Sequence, residues 1–212
     1  MPPTLPGSRL STDLRQAGLV EAALQLAAQR NPADITTGDL ARAVGISQGA
    51  VFRHFPSKEA VWLAVLDWTT VQLMQRLRAA VQVRQVSPQG FHPLAALQDV
   101  FIAHVDFVIA YPGVPRVIFQ ELQHADETPL KAAVRALMQQ YRALVMELLL
   151  SAQSQQLLAP ATDLPSAALL FLGSVQGLVM QSMVSGQVQA VATQAPGVFT
   201  LYLRGIARKE TR

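Results

Sequence analysis

Four histidines, His54, His92, His104 and His124, are the side chains best suited by type to acid–base or metal chemistry. None stands in a metal-ligand spacing such as HExxH, and none accompanies a nucleophile motif. There is no GxGxxG and no Walker phosphate loop. Cysteine is absent, which excludes a disulfide framework, a thiol nucleophile and a thiolate metal site. No metal or cofactor is expected, and the chain does not read as an enzyme. His104, within FIAHVDFV, shares a helical stripe with Phe101, Val105 and Val108. That placement suits either a core histidine with a satisfied hydrogen bond or a polar group inside a ligand cavity.

The informative residues lie in ITTGDLARAVGISQGAVFRHFPSKE, residues 35–59. Their pattern is that of two short helices joined by a tight turn. Leu40 and Ala41 on the first helix, and Ile46 and Val51 on the second, supply the buried contacts. Gly45 turns the chain without a Cβ penalty. Gly49 and Ala50 leave the front of the second helix thin enough to enter a major groove. Gln48, near its start, can reach a base edge, where bidentate pairing to adenine is available. Thr37, Arg53, His54 and Lys58 are placed for phosphate contacts, as are the free N–H groups of the helices starting at Thr37 and Lys58. The chemistry these residues would suit is recognition of double-stranded DNA.

Residues 12–66 resemble the DNA-binding domain of the TetR family of bacterial transcriptional regulators. The resemblance rests on Thr36-Thr37, then Ala41-Arg42-Ala43-Val44-Gly45-Ile46-Ser47, then Phe52-Arg53-His54-Phe55 and Ser57-Lys58-Glu59. It covers about a quarter of the chain and its motifs are specific. It implies that Thr37, His54 and Lys58 touch phosphates, while Ser47, Gln48, Gly49 and Arg53 lie at or near the bases. One departure is Phe52, which stands where the family has a tyrosine, so a hydroxyl contact to phosphate is missing.

The elements that must position these residues are all helical. The chain has 212 residues, 50% hydrophobic and 15% charged, which excludes a disordered chain and allows a sizeable core. Net charge is +3, and all of that excess falls within residues 1–86, a weak pointer to an anionic partner. Residues 1–10, with three prolines and a glycine, read as a disordered arm with no apolar run of the kind a secretory leader needs. Helix signals then follow from about Thr12 to Arg30, Thr37 to Val44, Gln48 to His54 and Lys58 to Val86. Further helices are expected over Pro93–Ala110, Val114–His124, Pro129–Gln156, Pro165–Gly186 and Ala195–Lys209. No run alternates with period two, so the fold class is all-α with about nine helices. The expected division is an arm (1–10), a helix-turn-helix domain (11–57) and a larger helical domain (58–212).

Residues 164–203 carry no charge, and Gly173 and Gly177 form a GxxxG pair within them. One reading is a helical interaction or membrane-associated protein that uses this stretch as an apolar surface. Against a membrane span stand Ser174, Gln176, Gln181 and Ser182 and the lack of a flanking basic cluster. The preferred reading is a cytoplasmic regulator, nucleoid-associated when bound to DNA. It would be a homodimeric repressor that binds a palindromic operator and is released by a small, largely apolar effector. The last two long helices would pair across the dimer as a four-helix bundle, with Gly173, Gly177, Phe199 and Tyr202 at the contact. Trp68, Phe101, His104, Met138, Tyr141, Phe171 and Gln176 are the expected wall of the effector site, though aromatic and Met side chains at helical spacing equally fill a core.

Overall fold

The computed structural model describes residues 12–85 and 90–208, so the expected arm lies outside the described residues. Nine α-helices are present among them. They are α1 (Thr12–Gln29), α2 (Thr37–Ala43), α3 (Gln48–His54), α4 (Lys58–Gln85), α5 (Pro93–Ala110), α6 (Gly113–Leu122), α7 (Pro129–Ser154), α8 (Leu164–Ser185) and α9 (Ala190–Ile206). A 3₁₀ turn, Pro32–Asp34, follows α1. No strand occurs among the described residues beyond one isolated bridge, Leu158 to Ala207.

The short helices are fixed by local chemistry. Thr36 caps α2 through a capping box, its hydroxyl accepting from the Asp39 amide (3.1 Å) while the Asp39 carboxylate accepts from the Thr36 amide (2.9 Å). Hydrogen bonds donated to the Asp39 carboxylate by the Thr36 amide and hydroxyl, ahead of the neighbouring Arg30 and Arg42, hold that carboxyl below its usual range. Ser47 caps α3 and Ser57 caps α4, each hydroxyl accepting an amide three residues on. Gly45 closes α2 at φ +67°, in the left-handed region where a Cβ is disfavoured.

Leu19, Ala23 and Ala27 on α1 meet Leu40, Ala41 and Val51 in the core beneath α2 and α3. The long α4 continues from there to pack on α5 and α7, and Arg84 near its end forms a two-bonded pair with Asp99 of α5. Helices α5, α7, α8 and α9 surround a second part of the core, where Phe101, Phe171, Phe199 and Tyr202 form an edge-on and tilted aromatic cluster with centroids 5.4–6.4 Å apart.

Three features differ from the sequence reading. Helix α9 starts at Ala190 rather than Ala195, with Pro196 inside it. A proline reads as a helix start or break because it lacks an N–H, yet this one sits on the exposed side and is tolerated. Phe199 and Tyr202 are 1% and 4% exposed, so they are interior residues of the subunit and not surface anchors. The Tyr202 hydroxyl donates to the Ala167 carbonyl of α8 (3.2 Å), which spends its polar end inside the fold. Finally, α5 as well as α8 is long and apolar enough to cross a membrane, but each buries about half of its apolar window against other helices, as core helices do.

Candidate functional site: a nucleic-acid interface and an internal cavity

Gln48, Gly49, Phe52 and Arg53 are exposed, while Ala50 and Val51 are buried. Spacings of one, four and five residues place the exposed four on one outward face of α3. Phe52 is 48% exposed, an aromatic ring left in water on that face. The Gln48 side-chain amide donates to the Thr37 hydroxyl (2.8 Å), bringing together two expected DNA-contacting residues from α2 and α3. The Ser47 hydroxyl is engaged as the cap of its helix, and Ser47 itself is exposed.

Two expected phosphate ligands sit differently. Lys58 donates from Nζ to the Ala33 carbonyl (2.6 Å), and its partial burial lowers the ammonium pKa. To meet a phosphate it must leave that carbonyl. His54 is half-buried, and its Nδ1 is buried with no hydrogen-bond partner among the described residues. The His54 carbonyl accepts from the Gln16 side chain (3.1 Å), so α1 holds the C-terminal end of α3 directly.

A cavity of about 530 Å³ lies inside the larger helical part, walled by α4 to α8. Of the seven expected wall residues, His104, Met138, Tyr141 and Gln176 line it. Trp68, Phe101 and Phe171 do not. Phe101 and Phe171 are wholly buried in the aromatic cluster, and Trp68 packs edge-on against Tyr111 (4.9 Å). Sequence reasoning missed the contribution of α6, which supplies Val114, Pro115, Ile118, Phe119 and Leu122, and the charged trio Glu127, Lys131 and Arg135. The strong amphipathicity of α6 shows that it has a buried face but not what that face meets.

His104 Nδ1 and the Tyr141 hydroxyl are 3.2 Å apart within this apolar wall. Burial raises the Tyr141 phenol and pushes the His104 imidazole down to about 4. A histidine held neutral in the fold binds protons more readily when unfolded. Its contribution to stability is therefore complete above pH 6.5, its ordinary value, and is lost as pH falls toward 4. The expected loss is about 2 kcal/mol between roughly pH 7 and pH 5. Denaturant midpoints should show wild type losing about that much more on acidification than His104→Asn. Equal losses would assign the acid sensitivity to other groups.

Helix α6 joins the two regions. Its lining residues face the cavity, while its first residue, Gly113, lies against the α1 backbone.

The family described as "Bacterial regulatory proteins, tetR family" matches residues 19–65, which span α1 to α3 and the start of α4. The nucleoid occlusion factor SlmA of Marinomonas sp. (strain MWYL1) is 22% identical over 165 residues, covering 78% of this chain and 81% of the relative. The probable acrEF/envCD operon repressor of Escherichia coli (strain K12) is 22% identical over 190 residues, 88% of this chain and 84% of its own. Among solved structures, the transcriptional regulator FadR from Bacillus subtilis in complex with stearoyl-CoA superposes with a TM-score of 0.77 at 15% identity, over 90% of this chain and 98% of that one. Residues 19–65, with their helix-turn-helix geometry, thus match the DNA-binding region of the TetR family of bacterial regulatory proteins, and the chain as a whole shares the all-helical fold of the solved regulators it superposes on.

Proposed function

We propose that the chain acts as a homodimeric, cytoplasmic repressor that reads a palindromic operator with α3 and is released when a small, largely apolar effector fills the cavity. The reading unit is residues 11–57, and α4 links it to the effector and dimer unit, residues 58–212. The carrying observation is the double role of α6, which walls the cavity and packs on the α1 backbone, so that a change in the cavity bears on the element that holds α3. Effector and operator would then select between two arrangements of the same contact.

Ser47, Gln48, Gly49 and Arg53 are assigned to the bases, Thr37, His54 and Lys58 to phosphates, and Phe52 to apolar contact at the groove. Dimerisation is assigned to the outward stripe of α8, where Leu169, Leu170, Gly173, Gly177, Met180 and Val184 are exposed at helical spacing. A Cβ on either glycine would meet no other part of the described residues within 4 Å, which leaves room for a second backbone. Leu201 of α9, at 68% exposure, is a further outward apolar side chain of the uncharged stretch and is assigned to the same contact.

A mobility shift with the DNA upstream of the chain's own gene tests the reading. A complex that survives excess unrelated duplex is expected, and binding no tighter than to that competitor would overturn it. The residue roles separate in the same assay. Gln48→Ala should relax preference at one or two base pairs and cost about 1–3 kcal/mol at the preferred site. Lys58→Gln should weaken all sequences alike and lower the salt slope by roughly one ion. If Lys58→Gln changed preference at one position only, its phosphate role would be wrong.

A further inference from the structure

We propose that the cavity takes an elongated amphiphile with an anionic head, seated with its charge beside Lys131 and Arg135 and its apolar body running inward toward His104 and Tyr141. This deepens the effector reading above and rests on it.

The polarity of the cavity is graded along α7. Lys131 and Arg135 stand in its first two turns, Leu137 and Met138 follow, and Tyr141 is wholly buried beyond them. At the rise of an α-helix, the distance from Lys131 to Tyr141 is about 15 Å along the axis. A ligand spanning it needs a long apolar middle, since the walls between are Val134, Leu137, Ile118 and Phe119.

The charge at the outer end is settled by pairing. Glu127 is the one acid lining the cavity, and Arg135 already binds it (2.8 Å). The hydrogen bond from Arg135 is also what chiefly holds the Glu127 carboxyl below its usual range, so it stays ionised and paired. Lys131 donates to a neutral partner, the His124 carbonyl. The lining thus carries two cations against one carboxylate, a net positive charge shared between Lys131 and Arg135, both of which act on Glu127. The N-terminal end of α7 adds the partial positive charge of its dipole to the same place.

The inner end is neutral. His104 is held in its uncharged form by burial, and its Nδ1 is engaged with the Tyr141 hydroxyl. A buried head group of either charge there would find no opposite charge, so the ligand enters with its charge outward.

The test uses the full chain, N-phenyl-1-naphthylamine as a neutral fluorescent probe of the cavity, and three competitors of equal chain length: dodecanoate, dodecan-1-ol and dodecylammonium. Dodecanoate should displace the probe at the lowest concentration. Lys131→Gln and Lys131→Glu change the lining charge stepwise at a partly exposed position. Dodecanoate should weaken by about fivefold per step, the scale of an exposed ion pair, while dodecylammonium tightens and dodecan-1-ol is unmoved. Opposite movement of the two ions is something a merely structural lysine would not produce. If the probe binds but dodecylammonium wins, or the three compete alike in every variant, the anionic head is refuted and the apolar effector site stands. If neither probe nor competitors bind, both readings fall.

Discussion

Gly113→Ala is expected to lower stability by about 1–3 kcal/mol, the cost of overpacking a tight contact, and to weaken operator binding in the fraction that remains folded. A Cβ at residue 113 would stand 2.2 Å from the Leu24 carbonyl oxygen and 3.1 Å from the Ala28 amide nitrogen. Both are backbone atoms of α1, so no side chain can rotate away. The two helices must separate. Helix α6 is then displaced from the element whose Gln16 holds the His54 carbonyl at the end of α3. The substitution touches neither the reading face nor the cavity wall. An operator titration together with a denaturant midpoint separates the two consequences. Wild-type values for both would show that the α1–α6 contact yields without cost, and that coupling does not run through it.

Leu169→Glu combined with Leu201→Glu is expected to give a folded monomer whose operator affinity is lower by about 10²–10⁴-fold, the usual advantage of two linked binding modules over one. Both leucines are about two-thirds exposed in the isolated subunit, at 66% and 68%. Glutamate at these positions therefore meets water in a monomer and costs the fold little. At a subunit contact the same carboxylates would be desolvated, and residues 164–203 offer no positive partner, Arg204, one turn on from position 201, being the nearest cation along α9. One α3 then reads one half-site, whereas a dyad sets two of them about one helical turn apart, ~34 Å. Sedimentation velocity gives the oligomeric state and a mobility shift gives the affinity. A double variant that remains dimeric moves the dyad to another surface. A monomer that binds the operator as tightly as wild type removes the need for one.

Local chemistry made the DNA-reading end legible in the sequence. Thr36, Ser47 and Ser57 cap helices through amides within three residues, and Gly45 turns through its own φ, so each signal depends on near neighbours only. The outward placement of Gln48, Gly49, Phe52 and Arg53 follows from helical spacing once Ala50 and Val51 are known to face inward. The all-helical class and nearly every helix boundary were readable for the same reason.

Only the tertiary structure decided which apolar stripe meets which. The uncharged stretch 164–203 is apolar on more than one side of each helix, so composition could not distinguish Phe199 and Tyr202, which close the core, from Leu169 and Leu201, which face outward. Phe101 and Phe171 lie one layer away from the cavity for the same reason: periodicity names a face, and packing of α5 against α8 and α9 assigns it to core or cavity. Glu127, Lys131 and Arg135 carry no signal of their own in the sequence, whereas Lys58 reads there as a phosphate contact but not as a donor to the Ala33 carbonyl. Their meaning comes from neighbours distant along the chain, the α6 wall in one case and the Ala33 carbonyl in the other, and such contacts exist only once the helices have packed.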